Sequence, residues 1–327
     1  MKKVIVTGGA GFLGSHLVDE LVKKKYKVIV IDNLSNGKLK NLNKVRNKIK
    51  FVKADISKYG VWTSYFKKDI NCIIHLAALA DIVPSINYPE KYYQVNVTGT
   101  VNLLNLAKQN NIKKFIYSAS SSCYGIPNKY PTNEKDKINP LYPYALTKKI
   151  GEDFVLHWSK IYNIQVTSLR FFNIYGTRSR TSGSYGAMFG VFLSQKINNK
   201  PFTVVGNGNQ KRDFIYVSDA VSAIIKSLNL KQKSLILNIG CGKPITINYI
   251  CKLLKGKKIF IPKRPGEPNV TWANINLAKK KLKWYPKVDI NEGVKILLNN
   301  LNHWENAPLW DKKKISKATK DWFRYLG

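Results

Sequence analysis

The stretch "KVIVTGGAGFLGSHLVDELVKKKY", residues 3–26, constrains the fold of this chain more than any other. A β-branched run reaches Thr7, glycines follow at positions 8, 11 and 14, and a helical pattern opens within them. A turn of this kind brings backbone close against whatever lies in front of it, which only residues without Cβ permit. The first helical turn adds unpaired N–H groups and the positive end of a dipole. Such a site receives a pyrophosphate, and the strand–turn–helix setting makes the glycine triplet specific for a dinucleotide. Asp32 ends the next apolar run, "KVIVID". Its carboxylate can accept hydrogen bonds from both hydroxyls of an adenosine ribose and would repel a 2′-phosphate, so NAD is expected rather than NADP.

Further short runs, "NCIIHLAA", "KFIYSAS" and "IQVTSLRFF", alternate with longer helical patterns. That alternation predicts an α/β fold, a Rossmann-type doubly wound parallel sheet. The near-continuous apolar character of Ile73, Ile74, Leu76 and Ala77 suits strands covered by helices on both faces. We expect a nucleotide domain over residues 1–172, with 213–240 returning to it. A smaller, interleaved C-terminal domain over 173–212 and 241–327 would hold the substrate. No run approaches the roughly 20 uninterrupted apolar residues of a membrane span. The N-terminal run, broken by glycines and lacking a small-residue cleavage site, reads as a first strand rather than a leader. Cys72, Cys123, Cys241 and Cys251 form neither a C-x-x-C pair nor a cluster with histidine. No metal site is expected, and reduced thiols in a cytoplasmic protein are.

The formal net charge of +36 invites a nucleic-acid partner, because polyanions bind basic surfaces by counterion release. The distribution argues otherwise. Lysines are spread through "LVKKKYK", "NLNKVRNKIK" and "LKGKKIF" rather than gathered in one stripe or tail. No specific nucleic-acid partner is expected, although the charge should draw in small anions.

In "YPYALTK", Tyr144 precedes Lys148 by four residues. With 18 Tyr and 48 Lys, random placement would give roughly 2.6 such pairs, and the chain has one, so only the setting can give the spacing meaning. Positions i and i+4 share a helix face, and this helix follows a strand end on the carboxyl edge of the sheet. A tyrosine of ordinary pKa, about 10, is a poor base at neutral pH. The ammonium of Lys148 is expected to lower it, as would a positive nicotinamide. Tyr142 is expected to point elsewhere and serve packing, and Cys123 to be a small core residue.

"TGGAGFLG", "DNLSNGK" from Asp32, "HLAA" from His75, "NVTGT" from Asn96, "SASSSCYG" from Ser118 and "YPYALTK" come in this order along the chain. Together they resemble the extended short-chain dehydrogenase/reductase family, in its NAD-dependent epimerase/dehydratase branch, over nearly the full length. The resemblance implies that Tyr144 exchanges a proton with a sugar hydroxyl, that Ser120 hydrogen-bonds the same hydroxyl, and that Lys148 holds the nicotinamide ribose. It implies cofactor contacts from Gly8, Gly11, Phe12, Leu13, Gly14, Asp32 and Asn33, from Asp55, Ile56, Ala77, Ala78 and Asn96, and from Tyr144 and Lys148 themselves. Substrate contacts are implied for Ser85, Ser120 and Ser121, and a homodimer paired through two helices, one carrying Tyr144.

Enzymes of this family begin by oxidising a sugar carbon. Its dehydratases follow the Ser120 position with an Asp-Glu pair, and its decarboxylases carry a glutamate at the second place; here Ser121 and Ser122 stand instead. That leaves C4 epimerisation. The nucleotide-sugar contacts implied are Asn173, Arg212 and Arg264 at the diphosphate and Glu267 at the ribose. Arginine is scarce, seven in the chain, and two fall where a guanidinium fork would meet phosphate oxygens. Thr271, where resembling enzymes limited to plain hexoses carry tyrosine, leaves room for a 2-acetamido group. The expectation is interconversion of UDP-N-acetylglucosamine and UDP-N-acetylgalactosamine, with UDP-glucose and UDP-galactose accepted. The alternatives are a uronate 4-epimerase using Arg178 and Arg180, then a 4,6-dehydratase, then a non-catalytic NAD-binding protein. The aromatic ending "HWENAPLWDKKKISKATKDWFRYLG" is expected to form a helix packed on the substrate domain, with no function assigned.

Overall fold

Strands with both faces buried must be covered by helices on both sides, and the apolar runs obey this. The structure, a computed structural model, describes residues 1–179 and 188–327. Its large sheet contains β1 (Lys3–Thr7), β2 (Lys27–Asp32), β3 (Ile49–Lys53), β4 (Ile70–His75), β5 (Lys114–Ser120), β6 (Gln165–Phe171) and, later in the chain, Ser234–Ile239. Three other strands intervene: β7 (Asn173–Tyr175), β8 (Phe202–Val205) and β9 (Lys211–Tyr216), so Ser234–Ile239 is β10. The order is β10-β6-β5-β4-β1-β2-β3, and every pairing is parallel. The order reverses between β1 and β4, where a crevice opens at the carboxyl ends of the strands.

Val4, Val6, Val30 and Ile74 face one helical layer; Ile5, Ile29, Ile31 and Ile73 face the other. The helices, in chain order, are α1 (Phe12–Lys23), α2 (Ile82–Asn87), α3 (Pro89–Tyr93), α4 (Gly99–Gln109), α5 (Pro143–Tyr162), α6 (Met188–Ile197) and α7 (Val217–Ser227). Leu17, Val18 and Leu21 of α1 join Val221 and Ile224 of α7 on the first face. Leu103, Leu104 and Ala107 of α4 join Val155 of α5 on the second.

Helix α5 opens with Pro143 at its first turn and ends on Asn163 in the left-handed conformation. Gly151 lets it lie directly on β5, because a Cβ there would run into the Tyr117 hydroxyl. A buried ion pair fastens it to β6: Arg170 Nη2 lies 2.6 Å from Glu152 Oε2, and Ser168 Oγ donates to Glu152 Oε1 at 2.6 Å. This seating fixes the helix face that carries Tyr144 and Lys148.

The remaining elements are β11 (Pro244–Thr246), α8 (Ile247–Leu254), β12 (Lys258–Ile261), α9 (Asn276–Leu282), α10 (Ile290–Leu298), α11 (Lys312–Ala318) and α12 (Lys320–Leu326). They build a three-stranded sheet, β11-β9-β7, and a parallel pair, β12-β8. A separate aromatic core of Tyr175, Phe189, Phe192, Phe202, Phe214, Trp304 and Trp322 holds them. The C-terminal stretch forms two short helices rather than the single one expected, because Thr319 breaks the run while Ile315 and Trp322 are both buried. Among the described residues no helix is long and apolar enough to cross a membrane, and no group of His, Cys, Asp or Glu could hold a metal ion.

Candidate active site

The three glycines of the first turn do different work. Gly8 has φ +71°, and a Cβ there would lie 2.7 Å from the Ala77 nitrogen. A Cβ on Gly14 would run into the Gly8 carbonyl, so these two permit close packing of strand, turn and helix. A Cβ on Gly11 would meet only the Gly8 oxygen, at 3.2 Å, and this residue lines a cavity of about 720 Å³ at the carboxyl edge of the sheet. Asp32 is fixed at the cavity rim by N–H groups of Ala10 (2.9 Å) and Leu34 (2.8 Å), one to each oxygen. Each oxygen keeps a lone pair for a ligand hydroxyl. Burial raises its carboxyl above the usual range, an effect the two N–H donors partly offset. Phe12, Leu13, Asn33, Asp55, Ile56, Ala77 and Ala78 line the same end.

Asn96 lies elsewhere than expected. It is buried behind the wall, accepting from the Leu79 N–H (2.8 Å) and donating to the Leu79 carbonyl (3.0 Å) and Thr147 Oγ1 (3.1 Å). It shapes the loop after β4 without lining the cavity. His75 bridges the point where strand order reverses, between Thr7 Oγ1 (2.7 Å) and Thr100 Oγ1 (2.9 Å). Burial holds its pKa well below the ordinary value, so the imidazole is neutral.

Ser120 ends β5, and its Oγ accepts from the Ser122 N–H (3.2 Å) and donates to Ser122 Oγ (3.0 Å). It lies near Tyr144 and favours that residue's phenolate form. Lys148, buried one turn along α5, holds its Nζ 4.4 Å from the centre of the Tyr117 ring. The expected lowering of Tyr144 by Lys148 is not found: burial raises the Tyr144 pKa, offset in part by Ser120. Burial also lowers Lys148 to about 7, against the opposing pull of Glu152. Desolvation penalises charge on both groups, and a half-protonated lysine is a weak source of field.

Tyr142 also departs from expectation. It caps α5 in an extended conformation rather than belonging to the helix, so its ring turns into the cavity. The ring lies nearly parallel to that of Tyr144, 6.5 Å between centroids and 9° between planes. Burial pushes its hydroxyl up to about 12, an effect the nearby Ser122 partly offsets. Cys123 is buried, its thiol pushed up to about 12, and behaves as core.

At the other end, Arg212 Nη2 donates to Glu267 Oε1 at 2.7 Å, and Arg264 Nη1 lies 3.8 Å from Glu267 Oε2. Glu267 Oε2 is buried and has no hydrogen-bond partner. Thr271 Oγ1 donates to Asn173 Oδ1 (3.0 Å) and accepts from the Asp213 N–H (3.1 Å), joining segments remote in sequence. Ser121, Asn173, Arg212, Arg264, Glu267 and Thr271 all line the cavity. Ser85 does not; it is fully buried and donates to the Ile82 carbonyl within α2. Arg178 lines the cavity from a left-handed backbone (φ +60°), but its guanidinium is engaged by Asp19 of α1 (2.7 Å) and the Asn41 carbonyl (3.2 Å). Arg180 lies outside the described residues. Sequence reasoning missed Tyr142 and Trp322 as wall residues; the only signal for Trp322 was the aromatic density of the last residues.

The profile of the NAD dependent epimerase/dehydratase family matches residues 4–240. The chain belongs to this family. It is an NAD-dependent enzyme of the extended short-chain dehydrogenase/reductase type. A UDP-glucose 4-epimerase from Thermotoga maritima, solved with UDP-glucose, is similar at TM-score 0.87 and 32% identity, over 92% of this chain and 98% of its own. A UDP-N-acetylglucosamine 4-epimerase from Methanobrevibacter ruminantium, solved with UDP-N-acetylmuramic acid, is similar at TM-score 0.85 and 33% identity, over 91% and 99%. A UDP-glucuronate 4-epimerase from Thermodesulfobacterium geofontis is 35% identical, over 95% and 96%. The cofactor of this epimerase/dehydratase family fits the residues present. Gly11 leaves open the space that a side chain would fill, and Asp32 is held at the rim with acceptor capacity to spare.

Proposed function

We propose that this enzyme inverts C4 of a UDP-N-acetylhexosamine, interconverting the gluco and galacto forms, and that it accepts UDP-glucose and UDP-galactose as well. The observation that carries this reading is the company of Tyr144. The Ser120 hydroxyl acts on it, Ser122 hydrogen-bonds Ser120, and the Tyr142 ring lies parallel to its own. Asp81 is the carboxylate that Tyr144 feels, where dehydration needs a paired acid and base. A site rich in neutral hydroxyls can hold and release one proton on a sugar oxygen.

Burial keeps Tyr144 mainly protonated at rest, and its minor phenolate form, favoured by Ser120, takes the proton of the C4 hydroxyl while Ser120 shares the hydrogen bond to the same oxygen. NAD, which Gly11 and Asp32 would hold, would supply reversible hydride acceptance at C4. Tyr144 then gives its proton back. Lys148 can carry or release a proton near neutrality and so balances charge on the phenolate at little cost. Arg212 and Arg264 would hold the diphosphate, and Glu267 Oε2 would accept from a ribose hydroxyl. Thr271 is small and has its hydroxyl already engaged, which favours space beside the C2 substituent. The relative named for UDP-N-acetylglucosamine supports that choice.

A uronate epimerase is the second reading, favoured by the relative from Thermodesulfobacterium geofontis. The ion pair of Arg178 with Asp19 weighs against it. We further propose a cytoplasmic homodimer paired through α5, where Leu146 and Ile161 are about half exposed, supplying activated sugar for polysaccharide assembly. Proton NMR of UDP-N-acetylglucosamine, incubated with purified protein and no added cofactor, tests the main reading. Growth of the galacto signals to an equilibrium mixture is the expected result. An unchanged spectrum, with turnover of UDP-glucuronate, would transfer the assignment to the uronate.

A further inference from the structure

The last helix, α12, stands between two walls of the cavity. It packs on α2, whose Ile82 and Val83 line one side. On the other side, Trp322 Nε1 donates to the Pro265 carbonyl at 2.7 Å, in the loop that carries Arg264 and Glu267. Trp322 is 3% exposed and still forms part of the cavity wall. Two functional groups rest on its indole. The Tyr142 ring lies 6.3 Å from it, tilted by 49°, and the Arg264 guanidinium carbon lies 5.4 Å from the ring centre. Since Tyr142 is stacked on Tyr144, one side chain near the chain's end links the catalytic tyrosine to an arginine of the diphosphate end.

The position of Arg264 is contested. Glu267 Oε2 is buried, lacks a hydrogen-bond partner and already forms a long ion pair with Arg264 Nη1, 3.8 Å, which could tighten. Glu267 already pairs with Arg212. Full collapse of Arg264 onto it would neutralise charge that an incoming diphosphate needs. The Trp322 ring, 5.4 Å from the guanidinium carbon, also attracts it and competes with that pull.

We propose that Trp322 is a positioning residue for the nucleotide sugar, keeping Arg264 from closing further onto Glu267 and holding Tyr142 against Tyr144, so that α12 clasps both ends of the substrate. This inference rests on the UDP-sugar reading above. It is tested by calorimetric titration of UDP and UDP-N-acetylglucosamine into the NAD-loaded enzyme, with steady-state kinetics alongside. Trp322→Leu keeps apolar bulk and removes the ring; it should weaken both ligands about tenfold and raise KM to match. Its kcat should stay within about threefold of wild type and its NAD content should hold, while its Tm falls because a buried indole of the aromatic core is lost. Trp322→Phe keeps a ring face and loses the N–H to Pro265, and should recover most of the affinity. Should Trp322→Leu fail to fold, Tyr142→Leu, which leaves α12 intact, should show the same loss for the UDP-sugar and little for UDP. Wild-type affinity in Trp322→Leu, equal weakness of Trp322→Leu and Trp322→Phe, or a kcat loss with KM unchanged would each overturn the proposal. Absence of binding by wild type to either ligand would instead overturn the UDP-sugar reading, and this inference with it.

Discussion

The two ends of the cavity are built from different materials. At the nucleotide end the parts are backbone: Gly8 and Gly14 packed without room for a carbon, Gly11 open, and main-chain N–H groups holding Asp32. At the sugar end the parts are side chains from segments far apart in the chain, tied to one another as Arg212 to Glu267, Thr271 to Asn173 and Trp322 to Arg264. A backbone site cannot be altered without altering the fold. A side-chain site can be changed one residue at a time, which suits a family whose members act on different sugars.

That contrast can be broken by experiment. If the sugar end hangs on an independent frame, losing one oxygen there should cost activity and not stability. Tyr144→Phe should lower kcat by about 10²–10⁴-fold, with Tm and NAD content as in wild type. A loss of NAD in this variant would mean the two ends are not separable. The converse change adds one carbon at the nucleotide end. Gly14→Ala should lose NAD and stability together, by about 1–3 kcal/mol in denaturant unfolding, since the Gly8 carbonyl is backbone and cannot step aside. Retention of cofactor at wild-type stability would show the turn to be softer than its contacts.

Lys148, at the boundary, sharpens the comparison with the smallest effect. Its folded pKa of about 7 lies below the ordinary 10.5, so between those values the unfolded chain binds more protons and stability rises with pH. Below about 7 both states are protonated and the full cost of burying the ammonium is present. Lys148→Met should therefore raise the Tm of the cofactor-stripped protein by a few degrees at pH 6–7, a gain that fades towards pH 10. Its activity should be lost throughout. A lower Tm than wild type at pH 7 would show that Glu152 or the Tyr117 ring more than offsets burial.

The same contrast decides what could be read from the sequence. Glycine spacing, the position of Asp32 and the Ser120, Tyr144 and Lys148 set are local signals, each governed by a strand end, a turn or a helix face. What failed was of another kind. Helical geometry points Tyr142 towards packing, but it precedes the helix and is extended, which turns its ring around. Asn96 and Ser85 act through the loop and the helix they brace, a distinction spacing does not encode. The mutual effect of Tyr144 and Lys148 depended on a burial that sequence does not report. Trp322 meets Tyr142 and Arg264 only after two separate cores have been brought together.

The contact between Gly151 and the Tyr117 hydroxyl has a consequence for evolvability. With no clearance beneath α5, and Glu152 locked to Arg170, the catalytic helix has nowhere to travel. On the mechanism proposed here, the two faces of C4 would then be presented to the cofactor by motion of the sugar itself. Any lineage, natural or bred in the laboratory, that moves to a bulkier sugar would have to find its new space on the opposite bank, around Thr271 and the loop of Arg264.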